Sequence, residues 1–352
     1  MIHYVDKFPG RKIKVRNLDY LYFGGTAYLG LQSDAYFQKL LIDNIKKYGT
    51  NYGASRISNV RLSIFEKSES YLAKLVGSEA CISLSSGYLA GQFTRNYFNY
   101  KFFKRFFAPN AHSALLLTND ACQETYSSLK LALEEHLEAQ EKTVAVVFLD
   151  SIDFSGSNYP DFNPLKSLPL ANTILVVDDS HGIGIVGEHG EGVFKMLMSL
   201  GAREVVVCCS LGKGFSIQAG AIFGTVDRIN AMTETSFYGG ASPATPANMA
   251  TLMDSQELMS QKRKKLKKRM HQFKEGLTEK FPHIIMDGHP TISFSNKGLT
   301  DYLEDKKVIV TNFPYPNEDS QTMSRIVISA CHKKKDIQKL TRHIQEYFSD
   351  QI

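Results

Sequence analysis

Four short segments of this chain carry the side chains best suited to chemistry. Ser210-Leu-Gly-Lys213 closes the apolar run Val205 to Ser210, and Asp178 and His181 stand at and just past the end of the run Thr173 to Asp179 (TILVVDD). Ser85-Ser86-Gly87-Tyr88 stands between the apolar run Ala80 to Leu84 and a helical pattern, and His112 lies in the loop Pro109-Asn-Ala-His-Ser. Such continuous Val/Ile/Leu runs read as buried parallel strands. Open α/β sheets bind ligands at the C-terminal ends of those strands. Backbone N–H groups left free at the start of a helix suit a phosphate. A lysine just past a buried strand is partly desolvated, which favours Schiff-base formation. A buried aspartate nearby can keep a pyridine nitrogen protonated, so that the ring acts as an electron sink. Lysine, aspartate and phosphate cradle together are what a pyridoxal 5′-phosphate site requires.

The elements around these segments alternate. Apolar spacing predicts helices over 33–47 and 64–76, then strands at 80–84, 143–150, 173–179 and 205–210. This alternation implies a doubly wound α/β sheet. After Phe237 the texture changes: one long basic helix is predicted over 247–281, then short strands at 291–295, 308–312 and 325–329 and a final helix over 333–348. The expected organisation is an N-terminal segment, 1–45, packing with the small domain; a large domain, 46–236; and a small C-terminal α+β domain, 237–352.

Composition narrows the function classes. The chain has 352 residues, 43% hydrophobic and 22% charged, which excludes a disordered or fibrous protein. Its first ten residues lack a basic region followed by an apolar one, so no secretory signal is expected. No apolar run approaches the ~20 residues of a membrane span. The five cysteines are scattered without CxxC spacing, which fits a reduced, cytoplasmic protein rather than a disulfide framework or zinc site. No metal is expected, since His181 and His189 lack a third ligand at usable spacing. A formal charge of +5 gives little reason to expect nucleic-acid binding. The basic run 261–269 reads as a solvated helix face, and the aromatic stretch 97–107 as a buried helix edge at a subunit interface.

Two tempting motifs fail. Gly182-Ile-Gly184-Ile-Val-Gly187 is a literal GxGxxG, yet Asp178-Asp-Ser-His181 separates it from the strand and no helix follows. Gly212-Lys213 resembles the end of a P-loop, but Val207 stands where that loop needs glycine and Gly214 where it needs Ser or Thr.

The segments Tyr28-Leu-Gly-Leu31, Tyr48-Gly-Thr with Ala54-Ser-Arg56, Ser85 to Ala90, Val177 to Gly184 with Gly187 to Gly192, Ser210 to Phe215, and Arg325-Ile-Val-Ile-Ser with His332 occur in an order that resembles the α-oxoamine synthase family. The resemblance spans nearly the whole chain. It implies a fold-type-I, aspartate-aminotransferase-like enzyme that binds pyridoxal 5′-phosphate. Lys213 would form the Schiff base and later move the Cα proton. Asp178 would pair with the pyridine nitrogen, His112 stack on the ring and His181 bond the phenolic oxygen. Ser180 would lie under the ring. Ser86, Gly87, Tyr88 and Ser210 would hold the phosphate. Arg325 would take the substrate carboxylate, for which a bidentate fork fits best, with Tyr28 beside the substrate.

The implied reaction condenses an amino acid with an acyl-CoA or acyl-carrier-protein thioester, with loss of thiol and CO2, to an aminoketone. The pattern leans to the oxononanoate type: L-alanine plus a pimeloyl thioester, in biotin synthesis. Implied too is a homodimer with a shared active site. Alternatives are a 2-amino-3-ketobutyrate ligase, a serine palmitoyltransferase-like enzyme, an aminotransferase or lyase, and a non-catalytic cofactor-binding subunit. The chain departs from the family pattern at Ala27, Ser58 to Arg61, Asp153 to Asn158 and Phe237 to Pro243.

Overall fold

The computed structural model describes residues 2–139, 142–277, 281–314 and 322–349. Two compact units result. The larger is Lys39–Asp153 with Ser157–Ser255; the smaller is Met1–Gln38, Phe154–Gly156 and Gln256–Ile352. Their strands, in chain order, are β1 (Lys12–Val15), β2 (Leu18–Phe23), β3 (Ala80–Leu84), β4 (Phe103–Phe107), β5 (Val144–Asp150), β6 (Thr173–Asp178), β7 (Glu204–Ser210), β8 (Gly220–Gly224), β9 (Ile284–Ile285), β10 (Thr291–Phe294), β11 (Val308–Pro314) and β12 (Thr322–Val327).

The larger unit holds a sheet of order β3-β8-β7-β6-β5-β4. Strands β4 to β7 run parallel, and β8 is antiparallel to both β3 and β7. Every residue of β6 is buried, as expected for a central strand covered on both faces. Val146, Phe148, Val176, Val206 and Ile222 pack in one core with Phe93 and Phe98, at the helix Gly87–Tyr97. In register, Asp150 pairs with Asp178 and Asp178 with Cys208. The C-terminal ends of three adjacent strands therefore lie level, and the side chains they carry emerge along one edge. The smaller unit holds a sheet of order β1-β2-β11-β12-β10-β9, in which only the β2–β11 pairing is parallel among the described strands.

The structure corrects several expectations. The long helix over 247–281 is two helices, Pro246–Asp254 and Gln256–Glu275, interrupted at Ser255; residues 278–280 lie outside the described residues. The division between units falls at 38/39 and 255/256, not 45/46 and 236/237. The reason is packing. Helix Pro246–Asp254 buries Ala247, Met249, Ala250 and Leu252, lies against helix Ser63–Val76, and accepts from Asn44 Nδ2 at Asp254 Oδ2 (2.9 Å). The stretch 97–107 is not one helix edge: its helix ends at Tyr97, and β4 closes the sheet. β8, short and glycine-bounded, gave no readable pattern. No described helix is long and apolar enough to cross a membrane.

One ion pair fixes the helix Gly87–Tyr97. Arg95 is 1% exposed and donates from Nε and Nη2 to the two carboxylate oxygens of Asp120, at 2.7 and 2.6 Å. Its guanidinium also lies over the Phe107 and Phe148 rings. Removing one partner of a buried pair strands the other charge, at about 3–5 kcal/mol. Asp120→Ala should destabilise the larger unit by about that amount in urea titration, whereas a surface carboxylate such as Glu134 should change stability by under about 0.5 kcal/mol when replaced.

Candidate active site

In the larger unit, the loops that leave β3, β4, β6 and β7 bring the cofactor-side candidates together. Lys213 Nζ lies 2.8 Å from His181 Nε2. This contact depends on glycines. A Cβ on Gly214 would lie 2.2 Å from the Ile183 carbonyl oxygen, and one on Gly184 would lie 3.0 Å from the Gly214 Cα. The loop after β6 and the loop after β7 thus touch backbone to backbone, and His181 and Lys213 flank that contact. Of the glycines that mimic a dinucleotide fingerprint, Gly184 serves this packing, while Gly182 and Gly187 make room for Asp179 and Glu191.

The loop after β6 wraps a buried carboxylate that the sequence reading passed over. Asp179 is 1% exposed; it accepts from the Ser151 hydroxyl at 2.6 Å and from the Val193 N–H at 3.1 Å. Burial pushes its carboxyl up to about 7. A Cβ on Gly182 or on Gly192 would sit 2.1 Å from an Asp179 oxygen. His189 lies in the turn beyond, where its N–H donates to Glu191.

Asp178, the last residue of β6, is buried, and its Oδ1 accepts from the Ser180 N–H at 2.8 Å. Ser180 Oγ in turn accepts from the Ser210 N–H at 2.8 Å. Ser180 therefore ties the end of β6 to the end of β7. Asp150 is the second acid missed from the sequence. Burial, and then the charge of Asp178, push its carboxyl well above the usual range. Its Oδ2 accepts from the His112 N–H at 2.7 Å. His112 Nδ1 accepts from the Ala114 N–H at 3.1 Å, which leaves Nε2 to carry the ring proton of the neutral tautomer. Burial pushes this imidazole below its ordinary value; the Asp178 charge pulls it up and the Lys213 charge pushes it down. The signal for Asp150 was available: an acid ending an apolar strand, as Asp178 does.

The segment before helix Gly87–Tyr97 forms a cradle. Ser86 caps the helix, its Oγ accepting from the Leu89 N–H at 3.1 Å. The Ala90 N–H reaches the Ser86 carbonyl. The helix has no carbonyl to offer the N–H groups of Gly87 and Tyr88, so they point to its N-terminal end, where the dipole favours an anion. A Cβ on Gly87 would lie 2.4 Å from Ser210 Cβ, and one on Gly220 would lie 2.2 Å from the Ser86 carbonyl oxygen. The cradle and the loop after β7 are in direct contact for that reason. Ser210 Oγ accepts from the Gly212 N–H at 3.2 Å. An amine, an acid at a strand end, a neutral imidazole and a helix N-terminus make a donor set that fits pyridoxal 5′-phosphate.

Arg325 and Tyr28 belong to the smaller unit. Arg325 lies on β12, paired on one side with Ser293 of β10 and on the other with Thr311 of β11. Its guanidinium lies 3.5 Å from the Phe154 ring centroid, and Nη2 donates to Met323 Sδ at 2.7 Å. Tyr28 is 1% exposed and meets the His289 ring edge-on at 5.5 Å. Burial pushes its phenol well up, with the charge of Arg325 pulling it back. Arg56, from the segment Ala54-Ser-Arg56, forms a two-pronged pair with Glu69 in the larger unit, at 2.6 and 2.9 Å, and so is committed to structure there.

Residues 120–344 match the family described as aminotransferase class I and II. The 8-amino-7-oxononanoate synthase of Dechloromonas aromatica (strain RCB) is 25% identical over 364 residues, covering 96% of this chain and 92% of that protein. The solved structure of Sphingomonas wittichii serine palmitoyltransferase superposes with a TM-score of 0.80 at 17% identity, over 99% of this chain and 92% of that one. A structure titled as SPT with its PLP internal aldimine gives 0.80 at 19% identity, again over 99% and 92%. The fold is therefore of aspartate-aminotransferase type I, as the sequence implied.

The cradle can be tested apart from any reaction. Gly87→Ala forces apart the helix start and Ser210, and small-to-large changes at such contacts cost about 1–3 kcal/mol. Affinity for pyridoxal 5′-phosphate, read by absorbance titration, should fall about tenfold or more; unchanged affinity would place the phosphate elsewhere.

Proposed function

We propose that this chain, which belongs to the aminotransferase class I and II family, is a pyridoxal 5′-phosphate-dependent acyltransferase of the α-oxoamine synthase branch. It joins an amino acid to an acyl thioester, forming an aminoketone and releasing CO2 and the free thiol. L-Alanine and a pimeloyl thioester are the best-supported pair, which would give 8-amino-7-oxononanoate for biotin synthesis. The observation that carries the reading is Lys213 Nζ held 2.8 Å from His181, beside the level ends of β5, β6 and β7. Support for the substrate pair comes from the relative matched along 96% of the chain.

In this reading the bound cofactor supplies an electron sink for the bond-breaking at the amino acid Cα. The chain's residues do the rest. Lys213 Nζ would hold the cofactor covalently and would carry the proton at the amino acid Cα. Asp178, buried at the end of β6, would pair with the pyridine nitrogen. His112, kept neutral by burial, stacks on the ring without adding a second positive charge. His181 hydrogen-bonds the phenolic oxygen. Ser180 would lie beneath the ring, and its hydroxyl oxygen accepts from the Ser210 N–H. The amides of Gly87 and Tyr88 and the Ser210 hydroxyl bind the phosphate, with Ser86 capping the helix that presents them. Arg325 holds the substrate carboxylate, with Tyr28 behind it. The reading includes a homodimer that shares its active sites and a cytoplasmic location, with which the five free cysteines agree.

The altered segments at Ala27 and Asp153 to Asn158 favour a second reading: the same condensation with another pair, such as L-serine or glycine and a different acyl chain. One assay separates these readings. Thiol release is followed for the cofactor-loaded protein with pimeloyl-, acetyl- or palmitoyl-CoA, each with L-alanine, glycine or L-serine. Amino-acid-dependent release should be fastest for L-alanine with the pimeloyl thioester. No release with any pair, while amino acids still perturb the cofactor absorbance, would replace acyl transfer by aminotransferase or lyase chemistry. Lys213→Ala should abolish borohydride-fixed cofactor and lower turnover by about 10²–10⁴-fold or more.

A further inference from the structure

We propose that Asp150 is a positioning residue for His112: its carboxyl group holds the backbone amide of His112 and thereby sets where the imidazole stands against the cofactor ring. The inference rests on the reading of His112 as the residue stacked on that ring. Both residues lie in the larger unit. His112 belongs to the loop that leaves β4, beyond the last β4–β5 pair, Phe107 with Phe148. Past that pair the loop needs anchors of its own. On one side, Gln92 Nε2 donates to the carbonyls of Ser113, Ala114 and Leu116 at 3.2, 3.0 and 3.0 Å, which ties the loop to the helix Gly87–Tyr97. On the other side, the His112 N–H donates to Asp150 Oδ2 at 2.7 Å.

The imidazole is locked to its own turn. His112 Nδ1 accepts from the Ala114 N–H at 3.1 Å, and the His112 carbonyl accepts from the Leu115 N–H at 2.8 Å. The ring cannot rotate without breaking the first of these bonds, so whatever places the turn places the ring. Asp150 places the turn relative to the sheet. It is the last residue of β5, level with Asp178 of β6. Its backbone is fixed: the Ser151 N–H reaches the Asp178 carbonyl at 2.9 Å, and Asn158 Nδ2 donates to the Asp150 carbonyl at 2.7 Å. Asn158 is buried and accepts in turn from the Tyr126 hydroxyl. The imidazole so placed lies close enough to Asp178 and Lys213 for both charges to act on it. A short side chain on a fixed strand end orders the ring before the cofactor arrives, which removes an entropic cost from binding. The contact needs an acceptor rather than a charge. Burial, and then the charge of Asp178, push this carboxyl up toward its neutral form, which still offers an acceptor oxygen.

The test titrates pyridoxal 5′-phosphate into the cofactor-free protein. Binding is followed by absorbance and by visible circular dichroism, which reads the asymmetry of the ring's surroundings. Asp150→Asn removes the charge and keeps an acceptor for the His112 N–H; its affinity should stay within about threefold of the parent. Asp150→Ala removes charge and acceptor together, and should weaken binding about tenfold and alter the dichroism. In a His112→Ala background the same Asp150→Ala change should cost less than about twofold, because the residue it acts through is gone. Asp150→Leu fills the volume without an acceptor and gives the same comparison if Asp150→Ala does not fold. If Asp150→Asn weakens binding as much as Asp150→Ala, the effect is one of charge and the positioning role is overturned. It is overturned equally if Asp150→Ala costs as much without the His112 ring as with it. If His112→Ala leaves both affinity and dichroism unchanged, the stacking reading falls, and this inference with it. No acyl thioester enters any arm, so failure of the acyl-transfer reading is seen separately, in thiol release.

Discussion

The site depends on one buried carboxylate. Asp179 lies at the end of a strand buried along its whole length, where an unpaired charge would be prohibitive. Hydrogen bonds from Ser151 and Val193, with the rise of its pKa to about 7, make its burial tolerable. Around it the chain from Gly182 to Gly192 must coil without side chains at the points of nearest approach. That coil sets the Ile183 carbonyl against Gly214. A lysine and a histidine, thirty-two positions apart in sequence, meet at its flanks.

The same economy governs the anion cradle. Gly87 and Gly220 are glycines because the end of β7, the start of β8 and the first turn of the helix Gly87–Tyr97 share too little space for a Cβ. The helix is held at its other end by the Arg95–Asp120 pair. One element is thus fixed at both ends, and its N-terminal dipole is aimed where a phosphate would be bound. Asp150 and Asp178, level on neighbouring strands, cannot both carry full charge at low cost. Burial, and then the charge of Asp178, raise the Asp150 carboxyl. The backbone amide of His112 binds Asp150, which gives the second acid a structural use.

In the smaller unit the substrate-side candidates are organised by aromatic contact rather than by glycine packing. The Phe154 segment, inserted from the chain of the larger unit, brings an aromatic face to Arg325. This segment is also one of those in which the chain departs from the α-oxoamine synthase pattern.

Much of this was legible in the sequence. Uninterrupted Val/Ile/Leu runs marked β5, β6 and β7, since only strands covered on both faces tolerate such runs. The amphipathic spacing of 64–76 marked a helix, and the residue types after each strand pointed to a lysine–aspartate–phosphate chemistry. Other features had no local signature. β8 is five residues bounded by glycine, and its place between β3 and β7 is set by long-range pairing. The break at Ser255 and the true unit boundary come from helix Pro246–Asp254 burying its face on a distant helix, which outweighs local propensity. The sequence by itself determined which side chains were available and on which strand ends they would stand, because periodicity and turn residues are local properties. Only the tertiary structure decided that Ser180 ties two strands, that Asp179 organises the glycine loop and that Phe154 covers Arg325. Those contacts join residues far apart in the chain, and they exist only where close packing leaves no room for an alternative.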